Sequence, residues 1–270
     1  MPIIEVNDIH MYIESHGEGF PLFMILGLSC DVNWWTPEII EAMAKNFKTI
    51  VFDNRGIGQS DKPEINYSIK MFADDTVGLM NALNIEKAHV LGLSMGGFIA
   101  QEIALSYPER VEKLILCCTH CGGAKALAPS NEAMNFLLNP PEKPIEFANS
   151  FIPLLFTRTF IERNPDFIES YKQRMLRIPF NLGLYKRQLQ AMSFNAARRI
   201  KNINIPTLIL HGKEDILLPP GNAEILAKGI PNARKVILDN TAHFLFQPDT
   251  EKVTTLISEF LTKKVELEAI

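Results

Sequence analysis

The chain has 270 residues, enough for one large α/β domain or one domain carrying an insertion. Hydrophobic residues make up 47% and charged residues 21%, an ordinary globular balance, and no apolar run is long enough to span a bilayer. With 27 basic and 31 acidic side chains the net charge is −4, which gives no electrostatic reason to expect nucleic acid or an anionic membrane as partner.

The first predicted elements are strands. Ile9 to Ser15 alternates loosely, and Pro21 to Leu26 is continuously apolar. Trp35 to Asn46 has helical spacing, and Lys48 to Phe52 is a short strand. Ser68 can cap an amphipathic helix running to Leu83. Lys87 to Leu93 is a strand, Met95 to Ser106 a helix stopped before Pro108, and Val111 to Cys118 a strand. From about Ala124 to Ile200 no strand is expected. Helices are predicted over Asn131–Leu138, Pro144–Leu155, Asn164–Arg177 and Leu182–Ala197, punctuated by prolines. Alternation then resumes: strand Thr207–His211, helix Gly221–Lys228, strand Arg234–Leu238 and helix Thr250–Lys263. Strands alternating with helices predict a mostly parallel sheet covered on both faces. The division is a core of residues 1–123 and 201–270 with a helical cap inserted at 124–200. The opening Met1-Pro2-Ile3-Ile4-Glu5 lacks a basic segment followed by an apolar one, so no signal peptide is expected and the cytoplasm is the default location.

The four cysteines are Cys30, Cys117, Cys118 and Cys121. Cys118 and Cys121 have C-x-x-C spacing, but no second pair of zinc ligands follows and the context is not thioredoxin-like. They are expected to be buried thiols.

In a parallel sheet, chemistry sits beyond the carboxyl ends of the strands. After Leu93 comes Gly92-Leu93-Ser94-Met95-Gly96-Gly97, a G-x-S-x-G turn between strand and helix. Such a turn lifts the serine hydroxyl clear, and side chains at Gly92 and Gly96 would collide. Ser94 is the expected nucleophile, and the Met95 N–H at the helix start faces a forming oxyanion. Of six histidines, His243 follows the last strand, as the order Ser…Asp…His requires, and is the expected general base. His10 and His16 read as surface residues and His89 as structural; His211 ends a strand and His120 follows one, so both could approach the site. The orienting acid is expected at Asp215, after strand Thr207–His211, with Glu214 and Asp239 as competitors. Gly27 opens the loop after Leu26, and its close backbone approach makes the Leu28 N–H the second oxyanion donor. Asp53-Asn54-Arg55-Gly56-Ile57-Gly58-Gln59-Ser60 reads as support beside the site, since it lacks a P-loop pattern.

Taken together, Gly92-Leu93-Ser94-Met95-Gly96-Gly97, Asp53-x-Arg55-Gly56-x-Gly58-x-Ser60, Gly212-x-x-Asp215 and Ala242-His243-Phe244 resemble the α/β-hydrolase family, over about Leu22 to Leu261. The likeness is strongest to its small carboxylesterases, 3-oxoadipate enol-lactonases and cofactor-free haloperoxidases. It implies an α/β-hydrolase fold: an eight-stranded, mostly parallel sheet flanked by helices, with an all-helical cap and no metal or organic cofactor. Many members carry His-Gly where this chain has Leu26-Gly27. A serine rather than an aspartate nucleophile sets it apart from haloalkane dehalogenases and epoxide hydrolases. The expected activity is hydrolysis of small, short-chain acyl or aryl esters through an acyl-enzyme, falling off as acid protonates His243. The rivals are an enol-lactonase, a C–C bond hydrolase, and a ligand-binding receptor that kept the triad. The expected partner is a small-molecule ester. Monomer and homodimer stay open, as does which cap residues among Phe136, Leu137, Phe151, Leu154, Phe156 and Phe160 line the pocket.

Overall fold

A computed structural model describes residues 3–263. Residues 1–2 and 264–270 of the expected core lie outside the described residues. Eight strands form one sheet in the order β1-β2-β4-β3-β5-β6-β7-β8. They are β1 (Ile3–Val6), β2 (Ile9–His16), β3 (Phe20–Ile25), β4 (Phe47–Phe52), β5 (Ala88–Leu93), β6 (Val111–Cys117), β7 (Thr207–Gly212) and β8 (Ala233–Leu238). β1–β2 and β2–β4 pair antiparallel, and every other pairing is parallel. The eight-stranded, mostly parallel sheet is the expected one. Every residue of β5 and β7 is buried, which fits the short apolar stretches Val90–Leu93 and Leu208–Leu210 within them.

The core helices are α1 (Pro37–Ala44), α2 (Ile69–Ala82) and α3 (Met95–Ser106), with α9 (Gly221–Gly229) and α10 (Thr250–Thr262) late in the chain. α1 packs on β2 and β4 and against α10, while α3 packs on β3, β5 and β6 and against α2. Between β6 and β7 come only helices, apart from an isolated bridge: α4 (Asn131–Leu138), α5 (Pro144–Leu155), α6 (Arg158–Arg163), α7 (Pro165–Met175) and α8 (Leu182–Ala191). The two ends of this insertion are tied together. Gly122 bridges Asn195, and the Ala196 N–H donates to Cys121 O at 2.8 Å.

The differences from the sequence reading are local. β1 was not anticipated; it is an edge strand in which only Val6 is buried, so it has no alternating pattern to read. The helix expected from Trp35 starts at Pro37, whose ring suits the first helical position, while Val32–Trp34 forms a 3-10 turn capped by Asp31. α6 is a six-residue helix, too short to show a period, started by Thr157 accepting from Phe160 N. α8 stops at Ala191 rather than Ala197, because the following backbone is spent on the bridge to Gly122 and Cys121. All four cysteines are free and buried. No helix among the described residues is long and apolar enough to cross a membrane.

Candidate active site

Ser94 stands between β5 and α3 with φ 58° and ψ −120°, a region a non-glycine residue enters only at a cost. The surroundings over-determine it. Its N–H donates to Cys117 O at 2.9 Å, and its carbonyl accepts from Gly97 N at 2.9 Å and Thr119 Oγ1 at 2.8 Å. The turn closes only around glycine: a Cβ on Gly92 would sit 2.1 Å from Gly96 O, and one on Gly96 2.1 Å from Ile25 O.

His243 follows β8, and Asp215 follows β7. Their side chains meet, with His243 Nδ1 2.8 Å from Asp215 Oδ2. The other carboxylate oxygen, Oδ1, accepts from the N–H groups of Leu217 (2.9 Å) and Leu218 (2.8 Å). Burial acts to raise the Asp215 carboxyl. The pull of His243 and the hydrogen bonds from His211 and His243 outweigh that and hold it at about 2. An ionised Asp215 only accepts, so His243 Nδ1 carries the hydrogen and Nε2 is left for chemistry. Glu214 is exposed, and Asp239 pairs at the surface with Lys213.

Sequence reasoning left two neighbours of this pair without a role. His211 is fully buried; its Nε2 lies 2.6 Å from Leu218 O and 3.2 Å from Asp215 Oδ2. A carbonyl only accepts, so this nitrogen also carries a hydrogen, and the ring braces both the acid and the loop that holds it. The i, i+4 spacing of His211 and Asp215 was the available signal. Cys118 lies with its Sγ within 4.8 Å of donor atoms of Asp215 and His243. Cys118, Asp215 and His243 could be counted as a metal-ligand set. The donors are ill-suited to it: burial, with Asp215 nearby, pushes the thiol well above its usual range, and the Asp215 oxygens already face N–H donors. His89, between the rings of Phe20 and Phe47, and the exposed His10 lie away from these groups.

The loop after β3 approaches Ser94 closely. A Cβ on Gly27 would sit 2.9 Å from Ser94 Cβ and 3.3 Å from its Oγ. Cys30 N donates to Gly27 O at 3.3 Å, making a turn with Ser29 at φ 58°. Neither the Leu28 nor the Met95 N–H finds an acceptor among the described residues. The Asp53–Ser60 segment braces this loop: Asn54 Nδ2 donates to Leu26 O at 3.4 Å, and Asp53 Oδ1 accepts from Val32 N at 2.8 Å. That segment is itself fixed by Arg55, buried and paired in two-pronged fashion with Asp75 at 2.6 and 2.7 Å.

Ser94 and His243 line one apolar cavity. The insertion contributes Leu137, Phe151, Leu155 and Met192 to its wall, and Trp34 and Phe244 come from the core. No Lys, Arg, Asp or Glu is among the lining residues. Of the apolar insertion residues considered from sequence, Leu137 and Phe151 reach the cavity; Phe136, Leu154, Phe156 and Phe160 are buried in the hydrophobic core away from its lining, Phe156 against Phe244. The Phe244 N–H donates to Leu155 O at 2.9 Å, tying the residue after His243 to α5. Trp34 also walls a second space, lined by Ser29, Lys62, Phe147 and Phe180 among others.

Known proteins resemble this chain in sequence and fold. The chain is 30% identical over 246 residues to a putative carbamate hydrolase RutD from Azorhizobium caulinodans, covering 90% of this chain and 91% of that one. It is 27% identical to a 2-hydroxymuconate semialdehyde hydrolase from Pseudomonas sp., covering 94% and 91%. Among solved structures, the enol-lactonase from Burkholderia xenovorans superposes with a TM-score of 0.85 at 25% identity, covering 97% of this chain and 100% of that one. Residues 21–249 match the family described as alpha/beta hydrolase fold. The strand order, the turn at Ser94 and a family match over most of the chain agree, and the protein belongs to the α/β-hydrolase family of hydrolases.

Proposed function

We propose that the protein hydrolyses small, neutral, short-chain acyl or aryl esters through a covalent acyl-enzyme on Ser94. The observation that carries this reading is the cavity. Its wall is apolar and without an acidic or basic side chain other than His243, and both Ser94 and His243 line it, with the buried Asp215 behind His243. A carboxylate-bearing acyl group would shed its hydration there with no cation to meet it, so a neutral one is favoured.

Ser94 Oγ attacks the ester carbonyl carbon as His243 Nε2 takes the hydroxyl proton. The carbonyl oxygen becomes an oxyanion between the Leu28 and Met95 N–H groups, whose donors are otherwise unused; losing one such donor costs roughly 3–4 kcal/mol of barrier. The carbon–oxygen bond then breaks as His243 returns its proton to the leaving alcohol. Water repeats the sequence on the acyl-enzyme, releasing the acid. Throughout, Asp215 stays ionised, holds Nδ1–H and stabilises the imidazolium. The five helices α4–α8 act as the cap that selects the acyl group.

The test is labelling with a fluorophosphonate followed by peptide mass mapping. The expected adduct is on Ser94, and Ser94→Ala should abolish both labelling and turnover of p-nitrophenyl esters. An adduct elsewhere, or an active Ser94→Ala protein, would refute the reading. A second reading, lactone hydrolysis, is favoured by the TM-score of 0.85 to the enol-lactonase. Comparing lactones with open-chain esters of equal carbon number separates the two.

A further inference from the structure

The oxyanion loop is anchored at three places, and they do not belong to one unit. Its two ends are held by the core: Asn54 Nδ2 donates to Leu26 O, and Asp53 accepts from Val32 N. Its apex is held from the insertion. Gln188, on α8 and only 1% exposed, accepts the Ser29 N–H on Oε1 at 2.8 Å. The same amide donates through Nε2 to Arg55 O at 3.2 Å, so one side chain clamps the apex to the Asp53–Ser60 segment.

The apex needs such a clamp. Within the turn closed by Cys30 N and Gly27 O, Ser29 occupies the third place with φ 58°. Turns with positive φ at that position normally take Gly or Asn there, because a Cβ is crowded. Serine has an incentive to leave the region, and leaving it turns over the Leu28–Ser29 peptide, replacing the N–H that faces Gln188 with the Leu28 carbonyl. Oε1 of Gln188, an acceptor, opposes that rotation. Leu28 is the residue whose own N–H is left free to meet an oxyanion.

We propose that Gln188 is a positioning residue through which the seated cap holds the oxyanion loop in its working shape. It touches neither substrate nor reacting atoms; it acts through Ser29. Without that side chain the apex loses its anchor and the Leu28 donor its aim, so the oxyanion site depends on a residue that the insertion supplies. This rests on the ester-hydrolase reading above.

The test compares wild type with Gln188→Met and Gln188→Glu, using steady-state hydrolysis of p-nitrophenyl esters, fluorophosphonate labelling rates and thermal melts. Methionine fills the same volume without the acceptor, whereas glutamate keeps an acceptor oxygen for Ser29 in either protonation state. Gln188→Met should lower kcat and the labelling rate by about ten- to a hundredfold with KM within about threefold, a misaimed rather than absent donor. Gln188→Glu should recover most of that loss even if it melts lower. Equal rates for wild type and Gln188→Met, or a Gln188→Glu protein as impaired as Gln188→Met, would overturn the inference. If instead wild type takes no label on Ser94, the ester-hydrolase reading itself falls, which separates the two failures.

Discussion

Replacing Asp215 by Asn tests the pairing behind Ser94 most sharply. The carboxylate accepts on both oxygens: from Leu217 and Leu218 N–H on Oδ1, and from His243 on Oδ2 with His211 beside it. An amide has one accepting oxygen, and the two backbone donors claim it. The amide nitrogen then faces His243 and can only donate. His243 must present a bare Nδ1 and move its hydrogen to Nε2, the nitrogen that in the proposed mechanism takes the serine proton. A tautomer reversal of this kind costs on the order of 10⁴ in kcat, or about 5 kcal/mol of barrier. Stability falls far less. Holding the carboxyl at about 2 against an ordinary 3.8 corresponds to about 2 kcal/mol, fully present above pH 4 and lost as the pH falls through about 2. At neutral pH the melt should therefore drop by on the order of 5 °C. The assay is turnover of p-nitrophenyl acetate by folded Asp215→Asn, with Glu214→Gln alongside. Glu214 is exposed, so its variant should keep kcat within about twofold. An Asp215→Asn protein within tenfold of wild type, or a Glu214→Gln protein that is inactive, would refute the argument.

Two other perturbations follow from the same geometry. Gly27→Ala places a methyl 2.9 Å from Ser94 Cβ, an atom that the turn cannot release, so the nucleophile or the oxyanion loop must shift. A tenfold to hundredfold fall in kcat is expected, of the order that a displacement near 1 Å causes, with a circular dichroism spectrum like wild type; unchanged kcat would show that the approach is not tight. Burial, helped by Lys113, lowers the His89 imidazole to about 4 from 6.5. The unfolded chain therefore takes up that proton first. The stability involved is fully present above pH 6.5 and lost as the pH falls through about 4, up to about 3 kcal/mol. His89→Phe, which fits between Phe20 and Phe47, should flatten urea stability between pH 6.5 and 4; an unaltered pH dependence would count against it.

The parts of this molecule that were readable from sequence are those dictated by neighbours in the chain. Gly92 and Gly96 are demanded by the turn that presents Ser94, so the motif and the geometry carry the same information. The short apolar stretches within β5 and β7 fit burial on both faces. Asp215 was harder to separate from Glu214, since what distinguishes them is which carboxylate the Leu217 and Leu218 N–H groups turn inward. β1 was missed because an edge strand with one buried residue leaves no period. Gln188 and Cys118 were out of reach. Gln188 lies 159 residues from the Ser29 it holds, and the C-x-x-C spacing of Cys118 points to Cys121 rather than to the Asp215 and His243 that the fold sets beside it.

The uncharged cavity wall has a consequence for how a cycle ends. Ester hydrolysis turns a neutral reactant into an acid that ionises at neutral pH. On the ester-hydrolase reading, that anion finds no Lys or Arg in the wall, only the His243 ring and the two backbone N–H groups at Ser94, and keeping it there would forfeit part of its hydration. If the proposed reading holds, the chamber that favours a neutral ester disfavours the carboxylate made from it, and added free acid should inhibit only weakly.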